Sequence, residues 1–132
     1  MESITLVADA IHRPDEPRHF MEFMFPDARY VARLGDTLIA DSTRVLKLAE
    51  VGFHIYDPVI YFPLADTEMA HLEATDKSTH CPLKGDTRYF DFVAGGDRHR
   101  DIGWNYAKPL AFAATLCDYI AFDRRQVQVS RA

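Results

Sequence analysis

Cysteine is scarce in this sequence. Two are present among 132 residues, Cys81 and Cys117, and they form no Cys-x-x-Cys pair. A structural zinc site built on paired thiolates is therefore not expected. His99 and Asp101 would share one face of a strand, but no third ligand accompanies them, so spacing predicts no metal centre. Glycine is sparse too, six in all, and none builds a phosphate-cradling loop. No Gly-Ser pair is followed by an Asp-x-Asp dyad, which a metal-dependent nucleotidyl transfer calls for. No cofactor is expected. Long apolar runs are missing: nothing approaches a membrane span, and no apolar leader follows Met1, where Asp9, Asp15 and Glu16 come early. A reducing, cytoplasmic setting is the expectation. Positive charge is in deficit, with 15 Lys and Arg against 20 Asp and Glu and a net charge of −5. Such a surface repels phosphate backbones, which argues against nucleic acid as a partner.

What is present suffices for one packed domain. Hydrophobic residues make up 48% of the chain and aromatics 12%, enough for a core and too much for disorder. Residues 1–27 read as an N-terminal arm, with a short strand at Ser3–Ala8 and an apolar cluster of Phe20, Met21, Phe23, Met24 and Phe25. Such an arm packs on its own body or on a second subunit, the first reading being preferred. Residues 28–132 read as one mainly β domain. Tyr30–Leu34 and Thr37–Ala40 flank the turn dipeptide Gly35-Asp36. Strands are predicted over Val45–Val51, Phe53–Phe62, Arg88–Ala94, Asp101–Tyr106, Tyr119–Phe122 and Val127–Val129. Short helices are predicted over Asp66–Glu73, capped by Asp66, and over Leu110–Cys117, where Phe112 and Leu116 stand four apart. Cys117 there reads as a small buried hydrophobe. Nothing alternates as βαβα, so the class is mainly β.

The most informative stretch is Thr79 to Phe90. It places a thiol, a proline, an ammonium and a glycine within five positions, Cys81 to Gly85, and then enters an aromatic strand. Pro82 fixes its φ and Gly85 accepts positive φ, so Cys81 and Lys84 are expected on a stiff, shaped turn.

The landmarks Asp41-Ser42, Glu50, Tyr61-Phe62-Pro63 with Asp66, Thr79-x-Cys81-Pro82-x-Lys84-Gly85, Tyr89, Trp104-Asn105-Tyr106 with Pro109, and Ala121-Phe122 follow one another in that order. Together they resemble the domain-of-unknown-function 427 family, sometimes labelled nucleotidyltransferase-like. The resemblance runs from Ala28 to Val129. It implies a mainly β fold of two small antiparallel sheets meeting at an angle, like a β-tent, with one or two short helices. It carries no established activity.

Three readings of function follow. In the first, Lys84, Tyr61, Trp104, Tyr106 and Thr79 line a pocket at the turn and bind a small, anionic or planar molecule. In the second, Cys81 is a nucleophile with Glu50 or His80 as base and Lys84 as anion binder. In the third, the apolar arm makes the domain an interaction module that dimerises. Ser42 and Arg44 form a second candidate anion site, against the alternative of a hydrogen-bonded corner. The remaining histidines, His19 among them, read as solvated or partly buried.

Overall fold

The computed structural model describes residues 10–132. Twelve strands run through them: β1 (Ile11–His12), β2 (Phe20–Met24), β3 (Tyr30–Leu34), β4 (Thr37–Ser42), β5 (Leu46–Val51), β6 (Val59–Pro63), β7 (Leu72–Ala74), β8 (His80–Cys81), β9 (Gly85–Ala94), β10 (Asp97–Pro109), β11 (Tyr119–Phe122) and β12 (Gln128–Arg131). Three 3-10 helices cover Leu64–Asp66, Met69–His71 and Ala111–Asp118. Two antiparallel sheets result. The larger has nine strands in the order β1-β2-β5-β6-β11-β10-β9-β7, with β8 added on β9, and the smaller has the order β12-β3-β4. The chain is mainly β, as its sequence pattern predicts.

Strand β6 shows why these residues build a layered core. Val59 and Tyr61 pack into one apolar cluster, while Ile60 and Phe62 pack into another. Successive side chains of a strand point to opposite faces, so a strand covered on both sides reads as an unbroken apolar run. Strand β11 repeats this, with Ile120 in one cluster and Ala121 in the other. The first cluster includes Ala32, Ile39 and Ala40 from the smaller sheet. The second is closed by Leu83 and by Ala113 and Leu116 of the last 3-10 helix. Between β9 and β10, Gly95 and Gly96 take φ of 61° and 86°, giving the left-handed turn whose twist suits a hairpin.

Several local expectations are corrected. The helix expected over Asp66–Glu73 is two 3-10 turns followed by β7. Leu72, Glu73 and Ala74 pair with β9, so the sheet edge takes Leu72 and Glu73, the last two residues of that expected helix. The strand expected from Phe53 begins only at Val59. Phe53 and Ile55 are 99% and 85% exposed, and Pro58 has no N–H to offer a ladder. Over Ala111–Asp118 the chain winds as a 3-10 helix, interrupted at Ala113. Its buried pair is Ala113 and Leu116, three apart as a 3-10 turn requires, and not Phe112 and Leu116. Cys117 is exposed, not buried, and both cysteines are free thiols.

The expected arm is sheet over part of its length. Strand β2 pairs with β5 from Phe20↔Val51 to Met24↔Lys47, and Met21 is 1% exposed in the second core cluster. The strand expected at Ser3–Ala8 lies outside the described residues.

Candidate functional site

The turn after β8 is shaped by its own residues. The Lys84 N–H donates to the Cys81 carbonyl at 3.2 Å, closing a turn with Pro82 in the second position, where its fixed φ fits. Leu83 points inward and is fully buried. Gly85 takes φ of +117°, and a Cβ there would stand 2.5 Å from the Lys108 carbonyl oxygen and 2.7 Å from the Leu110 nitrogen. Only glycine fits such an approach. The Leu110 N–H donates to the Lys84 carbonyl at 2.9 Å, tying the tip to the end of β10.

This tip delivers the Lys84 ammonium to Glu50 of β5, which it hydrogen-bonds through Oε1. The other oxygen of Glu50 lies 2.8 Å from Nε2 of His19. All three side chains are largely enclosed, at 12%, 12% and 15% exposure. Burial raises the Glu50 pKa, but the Lys84 ammonium and the His19 contact outweigh it and leave the carboxyl below its ordinary value. Burial likewise disfavours the Lys84 ammonium, yet the Tyr61 oxygen and the Glu50 carboxylate overcome it and raise its pKa. Each partner thus holds the other charged. An ionised Glu50 is displaced away from the range of a base poised near neutrality.

Aromatic side chains surround this pair. The Lys84 Nζ stands 5.6 Å from the centroid of the Tyr106 ring. The Trp104 indole N–H donates to the Tyr61 hydroxyl at 3.4 Å, and the rings of Trp104 and Tyr89 lie 6.4 Å apart. Burial pushes the Tyr61 and Tyr106 phenols up, so both stay neutral. Lys84, Tyr61, Trp104, Tyr106 and Tyr89 line a single cleft of about 560 Å³, with Lys77, Arg100 and Arg125 contributing cations and Asp101 and Asp123 carboxylates. A smaller cavity of about 260 Å³ elsewhere is lined by Tyr30, Lys47, Phe122 and Arg124, with none of the predicted site residues.

Among the cations of the larger cleft, Lys77 pairs with Asp101 at 3.2 Å and Arg125 with Asp123 at 3.1 Å. Arg100 has no ion-pair partner among the described residues. It is held at the cleft by its backbone, whose carbonyl accepts the Gln126 side-chain amide at 3.0 Å.

The other predicted residues are placed differently. Thr79 closes the neighbouring strand ends: its N–H donates to Thr87 Oγ1 at 2.7 Å, and its hydroxyl lies 3.4 Å from the Tyr89 hydroxyl. Ser42 and Arg44 are not brought to the cleft. The Ser42 hydroxyl donates to Asp66 at 2.6 Å and accepts the Arg44 N–H at 2.9 Å, while the Arg44 guanidinium reaches Asp66 at 3.0 Å. They form a corner locked by one carboxylate. His80 turns its Nδ1 to Asp86 at 2.7 Å across the β8–β9 pair and is not among the side chains gathered at Cys81. His19 takes that neighbourhood, with its ring nitrogen, a Glu50 oxygen and the Cys81 sulfur all within 4.8 Å of one another.

Sequence reading passed over His19 because its meeting with Glu50 spans 31 positions and depends on the β2–β5 register. Arg100 carried a signal, the local basic cluster of Arg88, Arg98 and Arg100. Among the described residues no helix is long and apolar enough to cross a membrane. No curated protein matches the sequence. The model of the family described as a domain of unknown function (DUF427) matches residues 22–132, and the chain belongs to that family, the one its Cys81–Gly85 landmarks resemble.

Proposed function

We propose that this domain binds a small, planar, anionic molecule in the cleft above Lys84. One observation carries the reading: in a chain of net charge −5, the Arg100 guanidinium, without an ion-pair partner among the described residues, shares a single cleft with the aromatic side chains of Tyr61, Tyr89 and Trp104. Its volume falls within the range of small-molecule sites, about 300–1,000 Å³. Aromatic faces favour a planar ligand, and a guanidinium offers two parallel donors to a carboxylate or phosphate. Lys84 is already neutralised by Glu50, so it adds a hydrogen-bond donor and little net charge.

The cysteine-dependent reading keeps one support, the closeness of Cys81 to His19 and Glu50. The ionised state of Glu50 counts against it as a base, which leaves binding as the preferred function. The dimerising reading loses Met21, which is spent in the chain's own core, and retains the exposed Phe25.

Trp104 is the one tryptophan, so its fluorescence reports on the cleft directly. Planar aromatic carboxylates should quench it saturably, while neutral analogues and non-planar carboxylates should not. Arg100→Ala should weaken that binding by about tenfold or more, the loss of one charge-assisted hydrogen bond. Equal binding of neutral analogues, or unchanged affinity in Arg100→Ala, would overturn the reading.

A further inference from the structure

The geometry points to a divalent-metal site of the zinc class formed by His19, Glu50 and Cys81. An imidazole nitrogen, a carboxylate oxygen and a thiol sulfur converge from three separate places: the residue before β2, the middle of the sheet in β5, and the end of β8. Their donor atoms lie within 4.8 Å of one another. Metal–ligand bonds of about 2.0 to 2.3 Å in a tetrahedron place donors some 3.3 to 3.7 Å apart, so an ion fits once the 2.8 Å His19–Glu50 contact opens by about half an ångström and Cys81 draws in. Neither phosphate chemistry nor a hard cation fits this donor set. A thiolate and an imidazole select zinc-like ions over magnesium or calcium.

The surroundings orient the ligands. Lys84 occupies Oε1 of Glu50 and leaves Oε2 for the ion. The His19 backbone is fixed on both sides, its N–H donating to Glu16 at 3.0 Å and its carbonyl accepting the Arg13 N–H at 3.1 Å. Such supporting contacts set ligand orientation in metal sites. Thiolate and carboxylate supply two negative charges to a doubly charged ion, the carboxylate sharing its charge with Lys84. Three protein ligands leave a fourth position open, the arrangement of zinc sites that bind an exchangeable ligand.

In the metal-free chain, the His19–Glu50 hydrogen bond keeps these two donors together. Binding breaks the Cys81 S–H bond, whose proton leaves to solvent, and shifts the imidazole proton from Nε2 to Nδ1. Lone pairs on sulfur, nitrogen and oxygen then bond the ion, and no electron is transferred. The site lies behind Lys84 and stands independently of what the cleft binds.

Cobalt(II) added to the metal-free full chain tests this. One ion per chain should bind with a near-ultraviolet thiolate-to-cobalt absorption band. Cys117→Ser should keep the band, Cys81→Ser should lose it, and His19→Ala should weaken binding by about 100-fold or more. A readout on the unaltered protein guards against variants that fold poorly. Zinc should slow alkylation of Cys81 by about tenfold or more by mass action while leaving the Cys117 rate unchanged. Absence of the thiolate band with excess cobalt, its persistence in Cys81→Ser, or an unprotected Cys81 would overturn the assignment.

Discussion

The Asp91 carboxylate accepts the backbone N–H of Asp101 at 2.9 Å, across the hairpin of β9 and β10. Asp101 is the one non-glycine residue with positive φ among the described residues, at 51°. It sits where the β9–β10 register shifts, between His99 and Gly103. A second oxygen of Asp91 takes the Arg98 guanidinium at 2.8 Å. One buried carboxylate thus holds the irregular turn of β10 that aims Arg100 and Asp101 at the cleft.

This arrangement predicts an acid-sensitive contribution to stability. Burial raises the Asp91 pKa, but the Asp101 N–H and the Arg98 guanidinium outweigh it and set it below the ordinary value. The folded pKa is therefore lower than the unfolded one, about 3.9. The stabilisation is present above that value and is lost as pH falls through the folded pKa. Urea midpoints should show Asp91→Asn less stable by about 1–3 kcal/mol near neutral pH. The gap to the unaltered chain should narrow below about pH 4. A gap that stays constant with pH would contradict the assignment.

Gly85 should tolerate no side chain. Gly85→Ala meets both a positive φ and a backbone oxygen at 2.5 Å, for a cost of about 3 kcal/mol or more. Gly35→Ala is the control: φ is also positive, at 59°, but nothing lies within 4 Å of the added carbon. Its cost should stay near 1–2 kcal/mol in chemical denaturation.

Glu50 and Lys84 should behave as a unit. Breaking a buried ion pair from either side leaves an uncompensated charge, so Glu50→Gln and Lys84→Met should each cost about 3 kcal/mol. The double variant should cost clearly less than the two together, which a double-mutant cycle on unfolding free energies measures.

Leu83→Ala should separate scaffold from ligand contact. Leu83 is fully buried among Met21, Tyr61, Tyr106 and Leu116, so truncation should cost about 2–5 kcal/mol. Because the same turn carries Lys84, ligand affinity read from Trp104 fluorescence should fall as well, although Leu83 is not among the residues lining the cleft.

Much of this site was legible because its parts sit on turns and strand ends with strong local signals. Pro82 and Gly85 marked the shaped turn, and Tyr61, Trp104 and Tyr106 stood out as amphipathic residues in apolar strands. All three line the cleft with Lys84. Hidden were the meetings fixed only by sheet register and loop packing. His19 reaches Glu50 because β2 lies beside β5, and no periodicity in a polar, proline-containing segment announces that neighbour. Asp66 read as a helix cap because its sequence context suits one, yet the Ser42 hydroxyl and the Arg44 guanidinium claim its oxygens. Leu72 and Glu73 were assigned to helix for a related reason: pairing with a distant strand overrode a local preference.

The position of β2 bears on where this domain can be cut. The family match starts at residue 22, inside a strand that begins at Phe20. A fragment trimmed to that boundary discards His19 and Met21, strips β5 of its partner at Val51 and Glu50, and uncovers one oxygen of a largely enclosed carboxylate. Strand β5 then presents an unpaired rim to neighbouring molecules, the condition under which sheet proteins associate edge to edge. The smallest piece that keeps Glu50 fully dressed extends back at least to Arg13, whose N–H holds the His19 carbonyl.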